Sequence, residues 1–152
     1  MMSSLSTVTQ IPRDMQALNR EVIDRFYANK ANSDNDSPIA LLTTTGRVSG
    51  RPRTTPVVCR EDDGDLVVAA TMGGSPDHPQ WYKNLVADPV LTVEYRTDIY
   101  RARATTVPDG PERERLFEKM SEVITDIYRY QERCRATRQI PIIRLQRLEP
   151  AG

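Results

Sequence analysis

Apolar positions along the chain change spacing several times, and each change marks a new element. Met15, Leu18, Val22 and Phe26 recur at helical spacing, which predicts a helix from about Asp14 to Ala28 with one apolar stripe. Asn29 to Pro38, rich in Asn, Asp and Ser, reads as a loop. Beyond it the chain turns apolar and β-branched. Ile39 to Thr45, Thr54 to Arg60 and Asp65 to Thr71 are predicted strands. The last two meet at Asp62-Asp63-Gly64, where Asp and Gly tolerate the positive φ of a hairpin turn. Gly73-Gly74-Ser75-Pro76 breaks the third strand, and His78 to Ala87 reads as a short helix with Asp77 or Ser75 as its cap. Pro89 to Tyr95 and Ile99 to Val107 are strands about a turn at Arg96-Thr97-Asp98. Asp109 and Pro111 start one long helix over about 111–133, with Leu116, Met120, Val123, Ile127 and Tyr130 among its apolar positions. Ile140 to Leu148 is the final strand.

Hairpins dominate this order. The expectation is therefore an α+β fold of about six largely antiparallel strands, which close into a small barrel more readily than they stay open. At 152 residues the chain suits one domain. The expected division is a flexible N-terminus over residues 1–13 and a single domain over 14–150. Lys+Arg and Asp+Glu both number 21, so no global charge attracts nucleic acid or an anionic membrane. The longest apolar run, Leu66 to Ala70, is strand-sized and far short of the ~18 residues of a membrane span. The N-terminus lacks the basic start and apolar segment of a secretory signal. Cys59 and Cys134 have no metal-ligand spacing and are too few for a disulfide framework. Together these point to a cytoplasmic protein with reduced thiols, no metal and no integral membrane association, working on a small molecule.

Three segments could carry chemistry. The first, Thr43 to Pro56, joins two strands and brings Arg47, Arg51 and Arg53 within seven positions, among the hydroxyls of Thr44, Thr45, Ser49, Thr54 and Thr55. Guanidinium forks, hydroxyls and open backbone amides suit phosphate oxygens. The competing reading is a solvated basic hairpin loop. The second segment runs from Ala69 to Leu85, where a strand ends in Gly73-Gly74 and leads to a helix start that could receive an anion. Trp81, the single tryptophan, is by itself best read as a core anchor. His78, the single histidine, lies between Asp77 and Pro79, where capping or packing is the simpler role, and one histidine rules out the usual multi-histidine metal sites. The third segment holds Tyr128 and Tyr130, which either pack or present phenols to a cavity. Arg133, Arg135 and Arg138 after them read as a solvated helix end.

Leu42-Thr43-Thr44-Thr45-Gly46-Arg47, Ser49-Gly50 and Pro52-Arg53 resemble the signature of the deazaflavin-dependent nitroreductase family. So do Gly73-Gly74, His78-Pro79, Trp81-Tyr82 and Asn84-Leu85, and Ile140-Pro141-Ile142 near the end. The match in order and spacing runs from about residue 39 to 150. The resemblance implies a split β-barrel with flanking helices that binds coenzyme F420 and passes hydride to quinones, nitroaromatics or activated alkenes. It places the cofactor phosphate near Arg47, Val48, Ser49 and Arg53. Thr54, Thr55, Pro56 and the run Ala69, Ala70, Thr71, Met72 would line the deazaflavin, with Gln80, Trp81 and Asn84 approaching from the short helix. Tyr128 or Tyr130 would face the substrate. Two positions depart from the pattern: the family commonly carries Lys or Arg where this chain has Val48, and Lys where it has Met72.

The leading expectation is thus a deazaflavin-dependent reductase, acting as a monomer or homodimer. The alternative is a cofactor-independent isomerase, cyclase or hydrolase on the same barrel, with no cofactor at all if Val48 and Met72 mark a lost phosphate site. A third possibility is a non-catalytic carrier of a small hydrophobic ligand.

Overall fold

The computed structural model describes residues 19–24 and 39–148. The expected N-terminal stretch, the loop over 29–38 and most of the first predicted helix lie outside the described residues. Within that helix, residues 19–24 are helical and form α1. Six strands follow: β1 (Ile39–Thr45), β2 (Pro52–Asp62), β3 (Asp65–Ala69), β4 (Val90–Tyr95), β5 (Asp98–Thr106) and β6 (Ile142–Arg147). They close into a barrel in the order β1-β2-β3-β6-β5-β4, and every pairing is antiparallel. Helices α2 (Gln80–Ala87), α3 (Pro111–Ser121) and α4 (Ile127–Cys134) complete the fold.

Alternation along the strands builds two cores. Leu66, Val68, Ile143 and Leu145 point into the barrel, where Leu42, Leu91 and Val93 meet them. α2 plugs this interior with Trp81 and Leu85. Val67, Ala69 and Ile142 point the other way and are covered by Leu116, Phe117 and Met120 of α3 and Ile127 and Cys134 of α4. A strand buried on both faces reads as an unbroken apolar run, which is why Leu66 to Ala70 is the most apolar stretch of the chain.

Three expectations change. The long helix over 111–133 is two helices. Val123, Ile124 and Thr125 form a β-branched run with low helix propensity. The amides of Val123 and Ile124 both turn to the Met120 carbonyl, at 3.1 and 2.8 Å, and the chain redirects. This break brings Ile127 to full burial. The short helix starts at Gln80, after Pro79, with no side-chain cap; Asp77 instead accepts the His78 amide and Lys83. β2 is longer than expected, eleven residues from Pro52 to Asp62.

α3 is pinned to the barrel by one buried carboxylate. Asp62 accepts both arms of Arg115 at 2.9 and 3.0 Å, Lys119 at 2.9 Å and Arg144 at 2.7 Å. Its side chain is 6% exposed. Hydrogen bonds from Arg115, and behind it Arg144 and Lys119, hold its pKa far below the ordinary carboxylate range against the opposing effect of burial. Folding therefore favours the ionised form. That stability is present above the unfolded carboxylate value of about 4 and drains away as pH falls below it. Asp62→Asn should cost on the order of 3 kcal/mol in urea unfolding at pH 7, because it leaves the three cations without their shared charge. The variant should also lose much of the wild type's acid sensitivity below about pH 4. Equal stability of the two proteins at pH 7 would show that the cations find other partners.

Candidate functional site

β2 has two halves. Residues Cys59 to Asp62 pair with β3, but β3 ends at Ala69, so residues 52–58 pair only with β1. Among the described residues the second edge of that half faces no strand, and Arg53 and Thr54 on it are exposed. The loop over residues 46–51 sits at one end of this open edge. The turn over 70–75 follows the end of β3, beside its other end.

The loop is closed by Gly46, whose amide donates to the Arg51 carbonyl at 2.8 Å while its own carbonyl accepts the Gly50 amide. A Cβ at Gly46 would lie 2.7 Å from Ser49 Oγ and 3.2 Å from the Arg51 carbonyl oxygen, so a side chain there would push the Ser49 hydroxyl aside. Arg47 is anchored from α2: its backbone N–H and its Nη1 both donate to Asn84 Oδ1, at 3.1 and 2.9 Å. Asn84 is buried, and its Nδ2 donates to Thr44 Oγ1 at 3.2 Å. Asn84 thus ties α2, β1 and the loop together. Asn84 is neutral, so it fixes the Arg47 guanidinium without compensating its charge, and no ion pair to Arg47 occurs among the described residues. Among the described residues, neither Arg51 nor Arg53 makes an ion pair or a side-chain hydrogen bond. Three guanidiniums without a carboxylate partner among the described residues stand on one loop and strand start.

The turn over 70–75 is unusual in its backbone. Met72, Gly73 and Gly74 all take positive φ, at 42°, 62° and 79°. Gly74 packs so closely on α4 that a Cβ would lie 2.7 Å from the Tyr130 carbonyl oxygen. Ala70 is fully buried in the barrel core, its amide donating to the Pro141 carbonyl at 3.0 Å and its carbonyl accepting from Arg138 at 3.0 Å, so it stands behind the groove and not on its surface. Trp81 lies in the barrel core, as its residue type alone suggests. Thr43 and Thr54 hydroxyls meet across β1 and β2 at 2.8 Å. Val48 is 92% exposed and Met72 37% exposed, so both side chains stand clear of the core.

The two tyrosines separate. Tyr128 packs on Phe117, donates its hydroxyl to Glu118 at 2.9 Å, and lines a cleft of about 480 Å³ between α3 and α4 with Arg113 and Gln131. None of the expected cofactor-binding residues lines that cleft. Tyr130 abuts the 72–74 turn through its backbone. His78 packs edge-on against Tyr82 at 5.0 Å, in keeping with a packing role. Cys59 and Cys134 are free and buried, and burial pushes the Cys59 thiol up to about 12. No group of three potential metal ligands occurs among the described residues, and no helix there is long and apolar enough to cross a membrane.

The reading of Arg133, Arg135 and Arg138 as a solvated helix end holds for Arg135 alone, which pairs with Glu132 at the surface. Arg133 reaches the Gly73 carbonyl at 2.7 Å, and Arg138 is drawn into the 70–78 region. Counted by type the three look alike. The available signal was the position of Arg138 directly before the Ile140-Pro141-Ile142 motif, where α4 has already ended.

A six-stranded antiparallel barrel with an open half-edge, a charged glycine loop and a glycine turn defines the class of split-barrel flavin and deazaflavin oxidoreductases. The family profile described as F420H(2)-dependent quinone reductase matches residues 18–147, and the chain belongs to that family. It is 34% identical over 112 residues to an F420H(2)-dependent quinone reductase of Mycobacterium tuberculosis strain H37Rv, covering 72% of this chain and 74% of the relative. A solved F420-H2 dependent reductase (FDR-A) superposes with a TM-score of 0.64 at 33% identity, covering 72% of this chain and 94% of that one. A second solved chain, described as a domain-swapped dimer, gives 0.66 at 30% identity and covers 89% of this chain and 99% of the other. Membership makes this an oxidoreductase family protein whose cofactor is coenzyme F420.

Gly74→Ala should destabilise the fold far more than Gly50→Ala. Both require a left-handed alanine, which costs about 1 kcal/mol, but Gly50 has nothing within 4 Å while Gly74 meets α4 backbone. Thermal melts of the two variants should separate clearly. Equal melting temperatures would mean that α4 yields to the added methyl.

Proposed function

We propose that this chain reduces a quinone with reduced coenzyme F420, using the loop over 46–51 and the open half of β2 as its cofactor site. The observation that carries this reading is the set of three guanidiniums, Arg47, Arg51 and Arg53, which have no carboxylate partner among the described residues and stand beside the half of β2 that β3 leaves unpaired. In a chain of zero net charge, cations left without partners are available to an anionic ligand.

Arg47, Arg53 and Ser49 would hold the phosphate-bearing tail, with Val48 beside them. Thr54, Thr55 and Pro56 of β2, with Thr71 and Met72 across the groove, would line the ring system, while the expected lining residues Ala69 and Ala70 are buried in the two cores and support it from behind. Gln80 is exposed at the start of α2 and available to a ligand. Trp81 and Asn84 support the site from beneath, Trp81 by packing and Asn84 by fixing Arg47. When bound, the reduced cofactor supplies a hydride, and the protein supplies orientation and electrostatics. Neither expected tyrosine is engaged with the groove through its phenol: Tyr128 donates its hydroxyl to Glu118, and Tyr130 meets the glycine turn through its backbone while its ring packs against the core under α3 and α4.

A titration with oxidised coenzyme F420, followed by cofactor fluorescence, tests the reading. Saturable binding is expected. Arg53→Ala should weaken it by roughly 10- to 100-fold, the worth of one charge-assisted hydrogen bond. Val48→Lys together with Met72→Lys should tighten it, because both side chains stand in solvent where an ammonium can reach a phosphate. No binding by wild type at high cofactor concentration would favour the cofactor-independent enzyme instead.

A further inference from the structure

Arg138 lies four residues past the end of α4, yet its guanidinium is the centre of the 70–78 segment. Its Nη1 donates to the Ala70 carbonyl at 3.0 Å, Nη2 to the Thr71 carbonyl at 2.7 Å, and Nε to the Ser75 carbonyl at 2.8 Å. Nη1 also meets His78 Nδ1 at 3.1 Å. Arg133 takes the Gly73 carbonyl, so four carbonyls of one six-residue turn point at two arginines. A turn with positive φ at Met72, Gly73 and Gly74 is costly for Met72 and persists only where surroundings over-determine it. Arg138 is that surrounding.

We infer that Arg138 is a positioning residue for the cofactor groove: its fork sets the backbone of residues 70–75 in the shape that faces β2, and proton uptake by His78 loosens that hold. This rests on the reading that the groove takes coenzyme F420. Arg138 touches no reacting atom; it acts through the carbonyls it collects. Lysine cannot replace it, because a single ammonium lacks the planar fork that reaches divergent acceptors.

His78 must accept from Arg138 at Nδ1, so its ring carries one proton, on Nε2. A second proton would place an N–H and a positive charge against the guanidinium. The groups facing His78 are Arg138, Asp77, Lys83 and the Tyr82 ring. Burial, then Arg138, and more weakly Lys83, push the His78 pKa below the ordinary histidine value, while Asp77 pulls it up without reversing the shift. The neutral ring is therefore favoured in the fold. The ordered turn is present at neutral pH and lost as pH falls through the lowered value, below about 6.5.

The test is the dissociation constant for coenzyme F420 across about pH 5 to 8 for wild type, Arg138→Lys and His78→Gln. Wild-type affinity should fall on the acid side. Arg138→Lys should bind roughly tenfold more weakly or worse at every pH. His78→Gln, which keeps an acceptor but does not titrate, should flatten the acid limb. A purely structural Arg138 would lower the melting temperature and leave the dissociation constant of the folded protein at neutral pH unchanged. That result overturns the inference, as does an acid limb that persists in His78→Gln. Wild type that binds no cofactor at any pH overturns the reductase reading along with this one. Wild type that binds while both variants match it overturns this inference alone.

Discussion

The mismatch in length between β2 and β3 governs this molecule. β2 runs for eleven residues and β3 for five, and the two pair only from Cys59 onward. An antiparallel barrel gains its closure by pairing every edge, so seven residues of β2 are left with a neighbour on one side only. β3 cannot extend further because the chain enters a left-handed turn at Met72, and that turn is fastened to α4 at Gly74. The groove is therefore not a hollow in a finished barrel. It is the part of the barrel that the glycine turn prevents from forming.

The two ends of β2 also divide the electrostatics. At its C-terminal end Asp62 gathers Arg115, Lys119 and Arg144, with Asp65 and Glu112 sharing the load. At its N-terminal end Arg47, Arg51 and Arg53 have no carboxylate among the described residues. A chain with equal numbers of acidic and basic residues can still hold strongly unequal regions, because many arginines elsewhere pair with carboxylates. Arg60 with Glu122, Arg147 with Asp98 and Arg135 with Glu132 are such pairs. Net charge excludes partners of the whole protein and says nothing of one loop.

Much of this was legible in the sequence, and the exceptions have physical causes. Strand positions followed from apolar alternation and from turns such as Asp62-Asp63-Gly64, which local chemistry decides. The loop at Gly46 to Arg51 was legible because glycine and arginine spacing is written directly in the chain. The break between α3 and α4 was partly visible in Val123-Ile124-Thr125, but their apolar spacing continues the helical stripe, and tertiary burial of Ile127 decides the matter. Arg138 was not legible. Its four contacts span about sixty residues of sequence, and only the fold brings the acceptors together. Asn84 was legible as polar and well placed, but not as the anchor of Arg47, since its role depends on burial against Thr44.

Val48 and Met72 acquire a narrower meaning in this setting. Loss of a basic side chain at either position could have accompanied a remodelled backbone, yet the backbone around both is held by other residues. Ser49 Oγ accepts the Arg51 amide at 3.1 Å beside Val48, and Gly46 closes the loop around it. Met72 keeps a left-handed φ of 42° although it is not glycine, which requires the restraint that Arg138 and Arg133 supply to its neighbours. Backbone strain of this kind persists only where the surroundings impose it. On the proposed cofactor reading, Val48 and Met72 lower the positive charge that the groove offers to a phosphate, while the backbone beside each is held by Ser49, Gly46 and the two arginines. That reading places the consequence of the two positions in the affinity for an anionic tail and not in the shape of the groove.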